Sequence, residues 1–281
     1  MRRIESIVTS ANDGECIKQY LLRELKLTKN LIKRVKWGFV FIDGVAVTMR
    51  ATLKAGQTVS VIITDTANQI KPISFPLDIV YEDEYILAVN KPTNMPTHPS
   101  KGNNLPTLAE GVIAYMGDDF VFRAINRLDR DTSGIVLIAK DAHVAALLSR
   151  NMKDGDFKKK YIAVLDGIPK NSSGIIDAPI EREFEGSIKR TVTPNGKKAV
   201  TEYKVIAEKN GKSLVEVTLH TGRTHQIRVH MAHIGVPLYS DFLYGTQVNN
   251  ENYKLHAKSI SFTHPIKDEH MEIVCEPSFT F

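Results

Sequence analysis

The sequence predicts an α+β protein, with a small N-terminal α/β module followed by a larger, mainly antiparallel mixed-sheet unit. Three observations predict it. Beyond residue 76 the short apolar runs outnumber the helical patterns and seldom alternate with them, which disfavours a doubly wound sheet. A polar, proline-punctuated stretch at 65–76 separates the two parts. A chain of 281 residues with 42% hydrophobic and 25% charged residues is long enough for two cores.

In order along the chain, Asn12 with Glu15 three residues later suggests a capping box before a helix whose apolar face is Ile17, Leu21, Leu22 and Leu25. Thr28 caps a second helix with Leu31, Ile32 and Val35 inward, ended by Gly38. Residues 39–42, the turn Asp43-Gly44 and residues 45–47 form a hairpin, and 57–63 a further strand. Beyond the linker, strands are expected at 79–81, 85–89, 134–139, 160–166, 199–207, 213–219, 259–263 and 271–275, with Asn210-Gly211 as a hairpin turn. Helices are expected at 107–116, at 141–152 behind an Asp141 cap, and at 224–234 before Gly235. The domain reading is 1–64, linker 65–76, and 77–281.

The formal net charge is +5, and all of it lies at the N-terminus: the first 70 residues hold 11 Lys/Arg and 6 Asp/Glu, and the remaining 211 balance. Arg23, Lys26, Lys29, Lys33, Arg34 and Lys36 fall on the two short helices, the electrostatic footprint of a nucleic-acid partner. A solvated charged face is the plainer explanation. Cys16 and Cys275 lie near opposite ends with no paired spacing, which points to reduced thiols and away from a disulfide framework or zinc knuckle. The first twenty residues alternate charge and apolar character, unlike a signal peptide, and no run reaches membrane-spanning length. A cytoplasmic protein without a membrane partner is expected.

The richest stretch is 123–140, where Asp129 stands between Arg127 and Arg130 at the mouth of an apolar strand. Guanidinium groups beside a carboxylate hold it ionised, and an ionised carboxylate can act as a nucleophile. A polar turn with acids capping backbone amides is the structural alternative. Two other chemistries are weaker. His220, His225, His230 and His233 crowd together, but His225 and His230 lack the four-residue spacing that aligns ligands on one helical face, so no metal is expected. Asp131-Thr132-Ser133-Gly134 is near the Asp-Thr-Gly of aspartic proteases, but has an extra residue and no second copy.

The stretch Asn126-Arg127-Leu128-Asp129-Arg130-Asp131-Thr132-Ser133-Gly134 resembles the His-Arg-Leu-Asp-x-x-Thr-Ser-Gly signature of the RluA-type pseudouridine synthases. Three further blocks match that family in order: Asn90-Lys91-Pro92 with Pro96-Thr97-His98-Pro99; Lys160-Tyr161 through Gly167; and Thr221-Gly222-Arg223-Thr224-His225-Gln226-Ile227-Arg228-Val229-His230, followed by Leu255-His256-Ala257 and His264-Pro265. Four motifs in order over residues 75–281 are a specific signal. Residues 1–64 resemble an S-four-type RNA-binding domain. Two positions depart from the pattern: Asn126 stands where the family usually has His and cannot titrate, and Ser240 precedes Asp241 where Gly is usual.

The resemblance implies a central antiparallel sheet with a cleft across it, and an isomerase that needs no cofactor. Asp129 would be nucleophile or promoter of glycosidic cleavage. Tyr161 would stack on the target base and could also serve as the general base, and Arg228 would pair with Asp129. Arg127, Arg130, Arg223 and Gln226 would contact RNA or fill the space of an extruded base. Lys91 reads as architectural or phosphate-facing, while Arg23, Lys29, Lys33, Arg34 and Lys36 would grip RNA from the N-terminal module. The expected substrate is structured RNA, large-subunit ribosomal RNA first and transfer RNA second, and the expected state a monomer. The competing functions are a non-catalytic RNA-binding or ribosome-assembly protein, and a metal-dependent hydrolase built on the histidines.

Overall fold

The computed structural model describes residues 2–36, 38–64, 70–100, 102, 104–249 and 251–281. The alternation at the start of the chain is itself a strand signal, and β1 (Arg2–Ile7) uses it. β1 pairs antiparallel with β4 (Thr58–Ile63) in a four-stranded sheet ordered β1-β4-β2-β3, where β2 is Val40–Ile42 and β3 is Val45–Ala46. Helices α1 (Ile17–Arg23) and α2 (Lys29–Val35) close its inner face through Ile17, Tyr20, Leu21, Leu31, Ile32 and Val35. Thr28 caps α2 as expected, its Oγ1 accepting from Leu31 N at 3.3 Å. The Asn12–Glu15 capping box does not form. Asn12 sits in a 3-10 turn and gives its amide to Glu15 Oε2 at 3.1 Å, and α1 starts beyond it, with no side-chain cap on Cys16.

This N-terminal sheet is docked rather than tethered. Arg2 hydrogen-bonds and ion-pairs with Asp141 and stacks 4.5 Å over the Tyr85 ring, while Ala142 and Ala146 pack against the small core. Of the expected linker, 65–69 lie outside the described residues. Its second half is packed: Ile73 N donates to Glu110 O, and the Phe75 ring takes the space where a Cβ on Gly111 would stand.

The larger sheet has nine strands among the described residues. They are β5 (Ile79–Glu82), β6 (Ile86–Lys91), β7 (Ser133–Ala139), β8 (Phe157–Leu165), β9 (Ser173–Asp177), β12 (Val200–Lys209), β13 (Lys212–Leu219), β14 (Leu255–Thr263) and β15 (His270–Val274). The order is β5-β6-β7-β14-β8-β13-β12-β9, with β15 beside β14. β10 (Ile180–Arg182) and β11 (Arg190–Val192) form a separate hairpin. The sequence pattern does not predict β9, β10 and β11, because 173–192 lacks a sustained apolar alternation. Asn210 and Gly211, both at positive φ, make the β12–β13 turn.

β7 is covered on both sides, which explains its uninterrupted apolar run. Val136 and Ile138 face a core shared with α3 (Leu108–Met116) and α5 (Gln226–His233); Ile135, Leu137 and Ala139 face α4 (Ala142–Asp154). α4 is capped by Asp141, which accepts from His143 N and Val144 N at 2.7 and 2.9 Å.

Every pairing among the described strands of this sheet is antiparallel except β7 with β14, through His256↔Ser133 and Ala257↔Gly134. The two backbones come so close at Gly134, where φ is +110°, that a Cβ would lie 2.4 Å from Ala257 O. Only glycine fits there. The loop before Gly134 therefore emerges at this parallel junction, and the cleft lies above it.

Candidate active site

The backbone of residues 128–130 is gripped from the segment following β6. Thr97 Oγ1 donates to Leu128 O at 2.9 Å and accepts from Leu128 N at 3.2 Å. Met95 N donates to Arg130 O. Lys91, fully buried, gives its three N–H groups to the carbonyls of Pro92, Met95 and Arg130 at 2.7–3.0 Å. Burial pushes its ammonium down to about 7 against the pull of Asp131 and Asp129. Lys91 is thus architectural, and no N–H remains for a phosphate. Asn126 is architectural too: its amide donates to Ile135 O and accepts from Leu137 N, both at 2.9 Å, doubling as a strand partner for β7. A titratable ring is not needed for that task.

So held, the loop presents Asp129 into a cleft of about 550 Å³ that Tyr161, Arg127, Arg130, Arg223, Gln226 and Arg228 also line. The Asp129 side chain is 32% exposed, and among the described residues its carboxylate accepts no hydrogen bond; its nearest cation-capable neighbour is His225, with Nε2 3.9 Å from Oδ2. The expected pairing of Arg228 with Asp129 does not occur. Arg228 binds Asp241 instead, Nε to Oδ2 and Nη2 to Oδ1, both 2.7 Å, with side chains only 3% and 0% exposed. A two-pronged carboxylate inside the fold outcompetes a single one at the cleft wall. Asp129 still acts on Arg228 through space, adding to the forces that raise the guanidinium's pKa against its burial.

Arg130 likewise turns to its neighbour, Nε and Nη2 to Asp131 at 3.0 Å. The paired guanidiniums expected around Asp129 are therefore engaged elsewhere, except for exposed Arg127. Gln226 is not free for RNA: buried, it accepts from Thr221 and Arg223 and donates to Val200 and Thr201, tying α5 to β12. Arg223 is exposed at the rim, its Nε on Lys198 O.

Tyr161, on β8, is buried against Val217 and Ala257 in the sheet and has its ring in the main core. Burial, with Asp129's charge adding, lifts its phenol well above the usual range, so it stays protonated at neutral pH. Sequence reasoning did not single out Lys159, although it adjoins the Lys160-Tyr161 motif on β8 and lines the same cleft. Its ammonium has no acid partner among the described residues, and burial lowers its pKa.

Three further residues went unrecognised because their partners are distant in sequence. Asp241 holds Arg228 from 13 positions away. Tyr253 puts its ring 4.3 Å from the Arg228 guanidinium and its hydroxyl 3.2 Å from Thr132 Oγ1. Tyr244 hydrogen-bonds His225. Ser240 anchors the segment carrying them: at φ +61° it takes the left-handed backbone a glycine would favour, and its hydroxyl bonds Glu251 O at 2.8 Å and accepts from Val248 N at 3.0 Å.

His220 and His230 are each bound to partners of their own. His230 bridges Thr201 and Ala178, and His220 meets Glu202. Among the described residues no three His, Cys, Asp or Glu side chains converge as a metal site. In the N-terminal module Lys29, Lys33, Arg34 and Lys36 are exposed, while Arg23 is matched by Glu15 and Glu24 at 2.9 Å. No helix among the described residues is long and apolar enough to cross a membrane.

The profile of the RNA pseudouridylate synthase family matches residues 85–233, which contain every residue lining this cleft except Leu255; the supporting residues Asp241, Tyr244 and Tyr253 also lie beyond it. An uncharacterized RNA pseudouridine synthase of Bacillus subtilis, YjbO, is 38% identical over 91% of this chain and 93% of its own length. The ribosomal large subunit pseudouridine synthase D of Xanthomonas campestris is 33% identical over 84% of this chain and 76% of its own. Among solved structures, human RNA pseudouridylate synthase domain containing 1 superimposes with a TM-score of 0.62 at 28% identity, covering 73% of this chain and 85% of that one. The chain belongs to the RluA-type RNA pseudouridine synthases and is an isomerase acting on RNA.

Proposed function

We propose that the enzyme isomerises uridines of large-subunit ribosomal RNA, with Asp129 as the reacting carboxylate. The observation that carries the assignment is the contrast between Asp129 and the acids around it. Asp131 and Asp241 are consumed by arginines, whereas Asp129 faces the cleft with neither oxygen hydrogen-bonded among the described residues, His225 Nε2 standing 3.9 Å from Oδ2. The reaction breaks the N1–C1′ bond, joins C1′ to C5, and moves the C5 proton to N1. Nothing is added or removed, so no cofactor or metal is required. Asp129 adds to, or assists departure at, the carbon being released. Tyr161, kept neutral by burial, is the apolar platform for the uracil ring, and this protonation state favours that role over a resting general base. Arg228, locked by Asp241 and Tyr253, supplies a fixed positive charge behind the carboxylate.

RNA would enter past Arg127, Lys159 and Arg223, and extrusion of the target base costs a few kcal/mol that such cations help offset. Residues 1–64 we read as the S-four-type RNA grip, with Lys29, Lys33, Arg34 and Lys36 on its outer face. We take the enzyme to act as a cytoplasmic monomer. Ribosomal RNA is favoured over transfer RNA by the relatives named as ribosomal large subunit enzymes.

The test is incubation with protein-free large-subunit ribosomal RNA and, separately, with transfer RNA, both unmodified, followed by carbodiimide-stop mapping. New pseudouridine in the ribosomal RNA, insensitive to EDTA at fixed RNA folding, is expected. Modification of transfer RNA alone overturns the substrate, and none in either overturns the function.

A further inference from the structure

His225 has a backbone and a hydrogen-bond arrangement that packing alone does not explain. It is the residue capping α5, yet it holds φ +58°, the left-handed region that a non-glycine residue occupies at a cost. Its ring is 15% exposed and lies edge-on to Tyr244, ring centroids 5.7 Å apart. Nδ1 is 2.8 Å from Tyr244 Oη, which in turn accepts the backbone N–H of Arg190 at 2.8 Å. Burial pushes the Tyr244 phenol up to about 12, so it keeps its proton. With Arg190 already donating to that oxygen, the phenol's own O–H is available to donate to His225 Nδ1. That arrangement puts the imidazole proton on Nε2, the nitrogen facing Asp129 Oδ2 across 3.9 Å, and it is the tautomer the proposal below adopts. Burial lowers the pKa of the ring, against Asp129 and with Arg228 and Arg190, consistent with a neutral imidazole.

We propose that His225 is a positioning residue for Asp129: a neutral imidazole whose tautomer is set by the Arg190–Tyr244 relay, and whose Nε2–H orients one carboxylate oxygen so that the other meets the substrate. The inference rests on Asp129 being the reacting group. The separation is longer than a hydrogen bond in the free protein and shortens when RNA closes the site, as hydrogen bonds in unliganded sites commonly do. Left-handed backbone at the cap aims the ring into the cleft instead of along the helix.

Two variants separate orientation from packing. His225→Asn tolerates the left-handed backbone but its amide is too short to reach Asp129; His225→Gln carries an N–H nearer the Nε2 position. With unmodified RNA as substrate, His225→Asn should lower kcat about 10- to 100-fold, the range spanned by a hydrogen bond to a charged group, with KM changing less than about twofold, and His225→Gln should recover part of the loss. The ¹⁵N shifts of His225 should report the Nε2–H tautomer in the wild type, and Tyr244→Phe should redistribute it. An Nδ1–H tautomer, full kcat in His225→Asn, or a loss confined to KM overturns the proposal. If the wild type forms no pseudouridine the functional reading fails, while the tautomer still decides the relay.

Discussion

Replacing Asp241 by Asn tests how Arg228 is held, since it removes the charge while keeping nearly the same shape. In the native protein Asp241 accepts four hydrogen bonds: Oδ2 from Arg228 Nε, and Oδ1 from Arg228 Nη2, Leu243 N and Tyr244 N. An Asn can keep its carbonyl oxygen toward the last three, but then turns an N–H₂ against the guanidinium Nε–H. Arg228, 3% exposed, is left with a buried positive charge and no anion bound to it. Breaking a buried pair by removing one partner costs about 3–5 kcal/mol, and because one prong survives the lower end, about 3 kcal/mol, applies. With an unfolding entropy of about 2.1 cal/mol/K per residue over 281 residues, that is a Tm drop of about 5 °C. Scanning calorimetry reads this directly, and the double variant Arg228→Met/Asp241→Leu should lose less than the two single changes combined. A melting point within about 1 °C of the parent for Asp241→Asn, well inside the expected shift, would show that Arg228 does not depend on this carboxylate.

Three other expectations follow from the fold and the site. Gly134→Ala should cost at least about 2 kcal/mol, because the new Cβ meets the Ala257 backbone and the residue must hold a positive φ; wild-type urea stability would refute the close approach. His143 is buried beside Asp141 with an unpartnered Nδ1 among the described residues, and burial, helped by Arg2 and Arg150, pushes its pKa down to about 4. Its folded pKa is depressed, so the unfolded chain binds the extra proton: stability is full above about pH 6.5 and falls by about 3 kcal/mol as pH drops through 4, a slope that His143→Leu should flatten in acid titrations of Tm. Lys159→Met and the double Lys29→Gln/Lys33→Gln should each make RNA affinity less salt-dependent. In a plot of log affinity against log salt, the slope should fall by about 0.7–0.9 for each phosphate no longer neutralised; unchanged slopes would mean these cations face solvent in the complex.

What could be read from the sequence divides along physical lines. Elements with strong local signals were legible: the apolar run of β7, the Asp141 and Thr28 caps, and the Asn210-Gly211 turn all depend on neighbours a few residues away. The weakly patterned 173–192 segment was not, since its strands are fixed by tertiary pairing. The Asn12 cap failed because Glu15 and the turn at 10–12 used the side chain first. At the site, motif order brought Asp129, Tyr161 and Arg228 to one cleft, but not the partners of each. Lys91 and Gln226 have the chemistry of RNA-binding residues, yet their hydrogen bonds are spent internally. Arg228 has the charge to pair with Asp129, yet the acid that wins it is remote in sequence and buried with it. Charge on a sequence shows what could pair; burial decides what does.

The central claim is that the cleft-facing carboxylate of Asp129 performs the chemistry. Asp129→Asn keeps the size and polarity of the side chain and removes its charge. With RNA bound to saturation, confirmed by filter binding, the variant should form no pseudouridine over many wild-type half-times; formation at a rate comparable to wild type would contradict the account.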